Sequence, residues 1–273
     1  MAVEGAILDL LAAVPLEYGN AAFLDLRQIL GSDALSASVD RLGVLAALGP
    51  AADQLKDGVD AILMARGPGG VLGVLKGDVD PRRVAEAIGS PGSRIESEGH
   101  GEFEVISAHM ETPFFSLVVA VSRVDEATAL FAVGPSLEGS SGLAKASLDT
   151  AAGAAPGLSG DPAIGKLLLD LPAGFALTLD PRCGLLPEVE GCIGAGVSAT
   201  LQGEQGVVHG VFMFREPAAA LAALPVIVES AGRIGGISSL SEVRSDVDGS
   251  VVRIEAVVGL EGALEWAIGQ TGA

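Results

Sequence analysis

Apolar residues recur along this chain in two rhythms. Spacings of three and four, over Ile7, Leu10, Leu11 and Val14, predict a first helix that Pro15 stops. Alternation by two, and short unbroken apolar runs, predict strands. Both rhythms meet in the stretch from Val59 to Ile88, VDAILMARGPGGVLGVLKGDVDPRRVAEAI, which reads as strand, tight turn, strand and helix. The turn is Gly67-Pro68-Gly69-Gly70, where Pro fixes φ and the glycines accept positive φ. Asp80 is placed to cap the helix that Pro81 opens. A weaker copy spans Val197 to Leu224: Val71 to Leu75 aligns over Val208 to Phe212, and Pro217 opens the second helix.

The other segments fill in around these hairpins. Asn20 to Gln28 alternates and predicts a strand, with Leu24 and Leu26 set against Asp25 and Arg27. Ser38 to Leu48 predicts a helix capped by serine and ended by Gly49-Pro50, and a short helical stretch follows over 51–56. Gly89 to Gly101 has the composition of a Gly/Ser loop. Strands are expected over Phe103 to Met110, Phe114 to Ser122 and Ala127 to Val133, the second apolar enough to be buried on both faces. A helix is expected over Leu137 to Leu148. Residues 151–160, AAGAAPGLSG, have linker composition, and Asp161-Pro162 then starts a helix to Leu169. Phe175 to Asp180 repeats the strand around Phe23. Two further strands meet at the turn Asp248-Gly249, and Leu260 to Ile268, carrying Trp266, closes the chain as a helix. Each half therefore reads helix, strand, hairpin, helix, hairpin. The expected fold class is α+β: a tandem duplication with largely antiparallel sheets backed by helices, residues 1–150 the first repeat, 151–160 the linker and 161–273 the second repeat.

Composition narrows the function. Hydrophobic residues make up 49% of the 273 and charged residues 19%, so a sizeable core is expected, filled by Ala, Val, Leu and Gly because aromatics are only 4%. A net charge of −19 argues against nucleic acid, which needs Lys and Arg on phosphates, and against anionic lipid surfaces. The first fifteen residues carry Glu4 and Asp9 and have no basic start, so they do not read as a secretory signal. The longest apolar stretch, Pro217 to Val228, falls well short of the ~20 residues of a membrane-spanning helix, and no span is expected.

Candidate chemistry is sparse. Cys183 and Cys192 flank a loop containing Gly184, Pro187 and Gly191 that can close on itself. The pair reads as a disulfide candidate or as two buried thiols, and two cysteines alone do not complete a zinc site. His100 lies in an acidic stretch with Glu102 and Glu104, a weak candidate for a divalent ion, and a solvated polar loop explains it as well. His109 and Glu111 form an H-x-E without the P-C-x-x-C that a zinc deaminase requires. His209 falls mid-strand, where it is exposed or satisfied by a neighbour. Gly157 to Gly160 is not a nucleophile elbow, Gly165-Lys166 follows no strand, the Gly67 to Gly73 glycines sit between two strands, and Asp246 to Gly249 is a hairpin turn that lacks the later ligands of a calcium loop. Arg82 and Arg83 form a small basic spot with a solvated face as its plain reading, and Pro113-Phe114-Phe115 reads as core. No catalytic residue, cofactor-binding residue or cofactor is expected.

Three segments carry a resemblance: Leu10-Leu11 with Val14-Pro15 and Ala22 to Leu26, then Lys76 to Val84, then Leu130 to Gly134 before a helix. Together they resemble a family of uncharacterised bacterial extracytoplasmic proteins, often lipoproteins or membrane-anchored, with a duplicated α+β domain. The resemblance implies an extracytoplasmic or cell-surface location. It carries over no catalytic residue, and the chain shows neither a leader nor a lipid-attachment cysteine; without a removed leader the location expected is cytoplasmic. The resulting expectation is a non-catalytic binding or assembly protein with a protein partner or self-association. The alternatives are a carrier of an apolar, lipid-like ligand between sheet and helices, and, further off, an enzyme with a dispersed site.

Overall fold

The computed structural model describes residues 3–42, 58–67, 69–88, 94–111, 116–184, 189–231 and 241–271. Their helices are α1 (Val3–Leu11), α2 (Leu26–Gly31), α3 (Asp33–Leu42), α4 (Pro81–Ile88), α5 (Leu137–Ala151), α6 (Pro162–Asp170), α7 (Pro217–Ala231) and α8 (Leu260–Thr271). Their strands are β1 (Asn20–Asp25), β2 (Val59–Gly67), β3 (Gly70–Gly77), β4 (Ile95–His100), β5 (Phe103–Glu111), β6 (Ser116–Asp125), β7 (Thr128–Gly134), β8 (Ala176–Asp180), β9 (Cys192–Gln202), β10 (Gln205–Phe214), β11 (Ser241–Asp248) and β12 (Val251–Gly259). The class is α+β, with antiparallel strands backed by helices, as the sequence led us to expect, and the described residues form twelve such strands.

The chain packs into two compact units. One comprises residues 6–18 and 45–160, and the other residues 1–5, 19–44 and 161–273. In the first unit the strands lie in the order β2-β3-β7-β6-β5-β4. Helices α4 and α5 pack on β5 and β6, and α5 reaches β3 and β7 as well. Residues 156–158 close against the start of the chain: the Leu158 N–H donates to the Val14 carbonyl at 2.8 Å, and the Leu16 N–H donates to the Pro156 carbonyl at 3.2 Å. In the other unit the order is β11-β12-β10-β9-β8-β1. Both predicted hairpins form. In each unit the hairpin's second strand then pairs with the unit's last strand in chain order, β3 with β7 and β10 with β12.

The second sheet has two distinct faces. Phe212, Phe214, Ala195, Val252 and Ile254 point to α7, meeting Ala220, Ala223 and Ile227. On the other face Gly194 and Gly196 leave room for Leu167 and Leu171 at α6; a methyl at Gly194 would press on Met213, and one at Gly196 on Leu171. A core short of aromatics is closed here by bringing backbone and helix together.

Three expectations shift. The strand expected through Gln28 stops at Asp25, whose carboxylate accepts the Gln28 N–H at 2.8 Å and so starts α2. The third helix starts at Asp33, five residues before Ser38, and Ser38 lies buried within it, donating to the Ala34 carbonyl at 3.0 Å. Part of the loop expected over Gly89 to Gly101 is instead β4, paired with β5 from Ile95↔Ala108 to His100↔Phe103. An outermost strand facing water needs no apolar alternation, so IESEGH gave no strand signal. The helix expected beyond Leu42, the stretch over 51–56 and Pro113-Phe114-Phe115 lie outside the described residues.

Candidate functional site

Three polar groupings stand out, and the sequence had pointed at two of them. The first joins β4 to α5. His100 Nε2 donates to Asp149 Oδ1 at 2.8 Å, Lys145 Nζ donates to Glu98 Oε2 at 2.7 Å, and the Ser141 hydroxyl donates to Glu98 Oε1. Lys145 and then Ser141 hold the Glu98 carboxyl below the usual carboxylate range by hydrogen bonding to its charged form. Of the other metal candidates, Glu102 sits exposed in the turn and Glu104 accepts from Ser97. His100 is thus engaged with Asp149 rather than with Glu102 or Glu104. Among the described residues, no three His, Cys, Asp or Glu side chains converge to hold an ion.

The second grouping is the cysteine loop. Cys183 and Cys192 are joined by a disulfide, their Cα atoms 6.0 Å apart and nine positions apart in sequence. A turn sets up the bond: the Asp180 carboxylate accepts the Arg182 N–H at 3.0 Å, and Cys183 takes a positive φ of 56°. Cys183 packs into the core beneath α7 with Phe214 and Ala220. Closing so short a loop restricts the unfolded chain. Converting both cysteines to serine is therefore expected to cost about 2–3 kcal/mol, read as a lower urea midpoint with a slope that does not fall.

The third grouping was not assembled from sequence. On the α6 face of the second sheet, Thr200 Oγ1 lies 3.1 Å from His209 Nε2, and His209 Nδ1 lies 3.5 Å from Glu255 Oε2. Strand pairing sets this up: His209 stands directly across from Ser198 on β9 and from Glu255 on β12. Arg244 Nη1 reaches the second carboxylate oxygen at 3.8 Å. The His209 side chain is only 22% exposed, and burial pushes its pKa below the ordinary histidine value, with Glu255 opposing that shift. The imidazole is therefore neutral at pH 7 and able to accept a proton.

By fold and site the chain is an α+β protein, its described residues forming two units of six antiparallel strands each, with a bonded cysteine loop. No protein-family model matches it. No curated protein matches it either. Solved structures of TP0453 share its fold. Crystal form I aligns with a TM-score of 0.56 at 11% identity over 97% of this chain and 98% of that one. Crystal form III gives 0.58 at 11% identity over 95% and 97%. Crystal form IV gives 0.55 at 12% identity over 98% and 99%. At this identity the likeness is one of fold, and it carries no residue roles across.

Proposed function

We propose that this is an extracytoplasmic binding protein that assembles with a second copy of itself through the outer face of α7. The observation that carries this reading is the exposure of that face. Leu221 is 61% exposed, and Ala218, Ala222, Pro225, Val226 and Val228 are exposed with it. No charged side chain falls between Glu216 and Glu229. Copies carrying −19 each repel one another, so an uncharged apolar surface is where they approach at least cost. The outermost strand β11 is a poorer docking edge. It bears Glu242, Arg244, Asp246 and Asp248, and its pairing is broken by an irregularity between Ser241 and Arg244 where Glu242 takes a φ of 52°. The Cys183–Cys192 bond supports an oxidising compartment, since a reducing cytosol does not sustain such bonds.

Light scattering over a concentration series should give a discrete assembly, and Leu221→Glu should reduce it to monomer while keeping the native circular dichroism spectrum. A wild-type chain that stays monomeric throughout would refute the assembly. For the compartment, acid-quenched cells treated with a thiol-alkylating reagent should leave Cys183 and Cys192 unmodified, and alkylation of both would refute it.

A further inference from the structure

We propose that Thr200, His209 and Glu255 form an acyl-transfer centre, with Thr200 Oγ1 as nucleophile, His209 as general base and Glu255 as the group that fixes the imidazole. This goes beyond the assembly role and does not depend on it, because these side chains lie on the sheet face opposite α7: His209 and Glu255 alternate with Phe212 and Ile254, which pack against that helix. A hydroxyl is a weak nucleophile unless a neighbouring base takes its proton as it attacks, and the base must be oriented by a third group. All three parts are present at usable distances, hydroxyl to Nε2 at 3.1 Å and Nδ1 to carboxylate at 3.5 Å, and the Thr200 hydroxyl, which also donates to the Val207 carbonyl at 3.4 Å, must turn its proton from that carbonyl to Nε2 before it attacks. The base is neutral at pH 7, as its role requires.

A fourth group lies beside these three. Ser198 stands across from His209, is fully buried, and its hydroxyl has no hydrogen-bond partner among the described residues. A buried unpaired hydroxyl costs free energy. Being fully buried it meets no substrate, and it stays an uncompensated cost within this face. The charged groups on this face are Glu255 and Arg253 on β12, with Arg244 of β11 on the far oxygen of Glu255 and Asp246 of β11 across from Arg253; Arg253 is bound at 2.7 Å by Asp170 of α6 and lies 3.8 Å from Asp248. None of them is placed on His209 Nε2, which faces Thr200.

The reaction balances with an ester and water alone. Thr200 Oγ1 bonds to the ester carbonyl carbon as its proton passes to His209 Nε2. The bond to the alcohol oxygen then breaks, and the alcohol leaves with that proton. Water attacks the acyl-threonine, giving a proton to His209, and the carboxylic acid is released as Thr200 regains the proton. The centre is a half-exposed sheet face, so the substrate class is a short-chain ester.

The test uses the full chain and p-nitrophenyl acetate. Thr200→Ala and His209→Ala should each lower kcat/KM by about 100-fold, while Thr200→Ser keeps most of the activity. Acid quenching should trap an acetyl group that peptide mapping places on Thr200. The rate should rise with pH through a value below the ordinary histidine pKa, and Glu255→Gln should move that inflection lower because the carboxylate opposes the burial shift. If Thr200→Ala unfolds, Thr200→Ser and the mapped adduct still decide. Hydrolysis no faster than buffer, an adduct confined to other residues, or a rate that Thr200→Ala leaves unchanged overturns the proposal and makes the cluster a cross-strand polar contact only.

Discussion

Gly77→Ala is expected to destabilise the protein by about 3–5 kcal/mol, a large part of the ~5–15 kcal/mol that holds a folded domain together. Gly77 ends β3 with a φ of 141°, a region that side chains rarely enter. Its N–H donates to the Ala127 carbonyl at 2.9 Å, so the backbone there is fixed from one side. On the other side, an added methyl would run into the Gly58 carbonyl oxygen and the Val59 Cα. Both obstacles are backbone, so relief means prying apart the β2–β3 pairing at its Val59↔Gly77 end. Gly101→Ala is the control. It also has positive φ, at 60°, but nothing lies within 4 Å of its new methyl, so it bears strain without collision and is expected to cost about 1 kcal/mol. Urea denaturation of both variants checks the pair. A Gly77→Ala loss no larger than the Gly101→Ala loss would show that the backbone collision is absorbed at no cost.

That contrast also explains which parts of this fold were legible in the sequence. Turns and the helix starts marked by Asp-Pro were readable because their chemistry is local: glycines around Pro68, the Asp-Pro pairs at 80–81 and 161–162, and Asp248-Gly249 each dictate a backbone conformation on their own. Strand β4 was not readable, because IESEGH owes its conformation to distant partners, β5 along its backbone and α5 through Glu98 and His100. Helix α2 was hidden for a similar reason: the alternation of residues 24–27 fits a strand until the Asp25 side chain turns back to cap the helix at Gln28.

The candidate site divides the same way. A two-residue turn at Gly203-Glu204 sets Gln205 against Gln202, and with it Val207 against Thr200 and His209 against Ser198. The threonine–histidine contact was therefore available from the hairpin. Glu255 was not, because it reaches His209 through the β10–β12 pairing, which crosses the sheet after α7 has intervened. The cysteines were legible as neighbours, since nine positions of Gly- and Pro-bearing loop bring them together. Whether they bond depends on redox compartment as well as on spacing, and spacing alone left both states open.

Trp266 carries the other large effect. It is the one tryptophan in the chain and the largest fully buried side chain, set on α8 where that helix packs against α3, β1, β10 and β12. Removing the ring with Trp266→Ala is expected to cost about 3–5 kcal/mol, through lost burial and the cavity left behind. Yet its indole N–H, buried, finds no hydrogen-bond partner among the described residues. An unpaired buried donor is itself unfavourable by about 1–3 kcal/mol. Trp266→Phe discards that donor along with part of the ring, so the two terms oppose each other and the net loss should be about 1 kcal/mol or less. Circular dichroism during urea unfolding reads both variants, because each removes the only tryptophan fluorophore. If Trp266→Phe cost nearly as much as Trp266→Ala, the N–H would be shown to have a bound partner, such as a buried water, whose loss adds to that of the ring. A small Phe loss beside a large Ala loss would mean that the site values the ring for its volume and gains nothing from its polar edge.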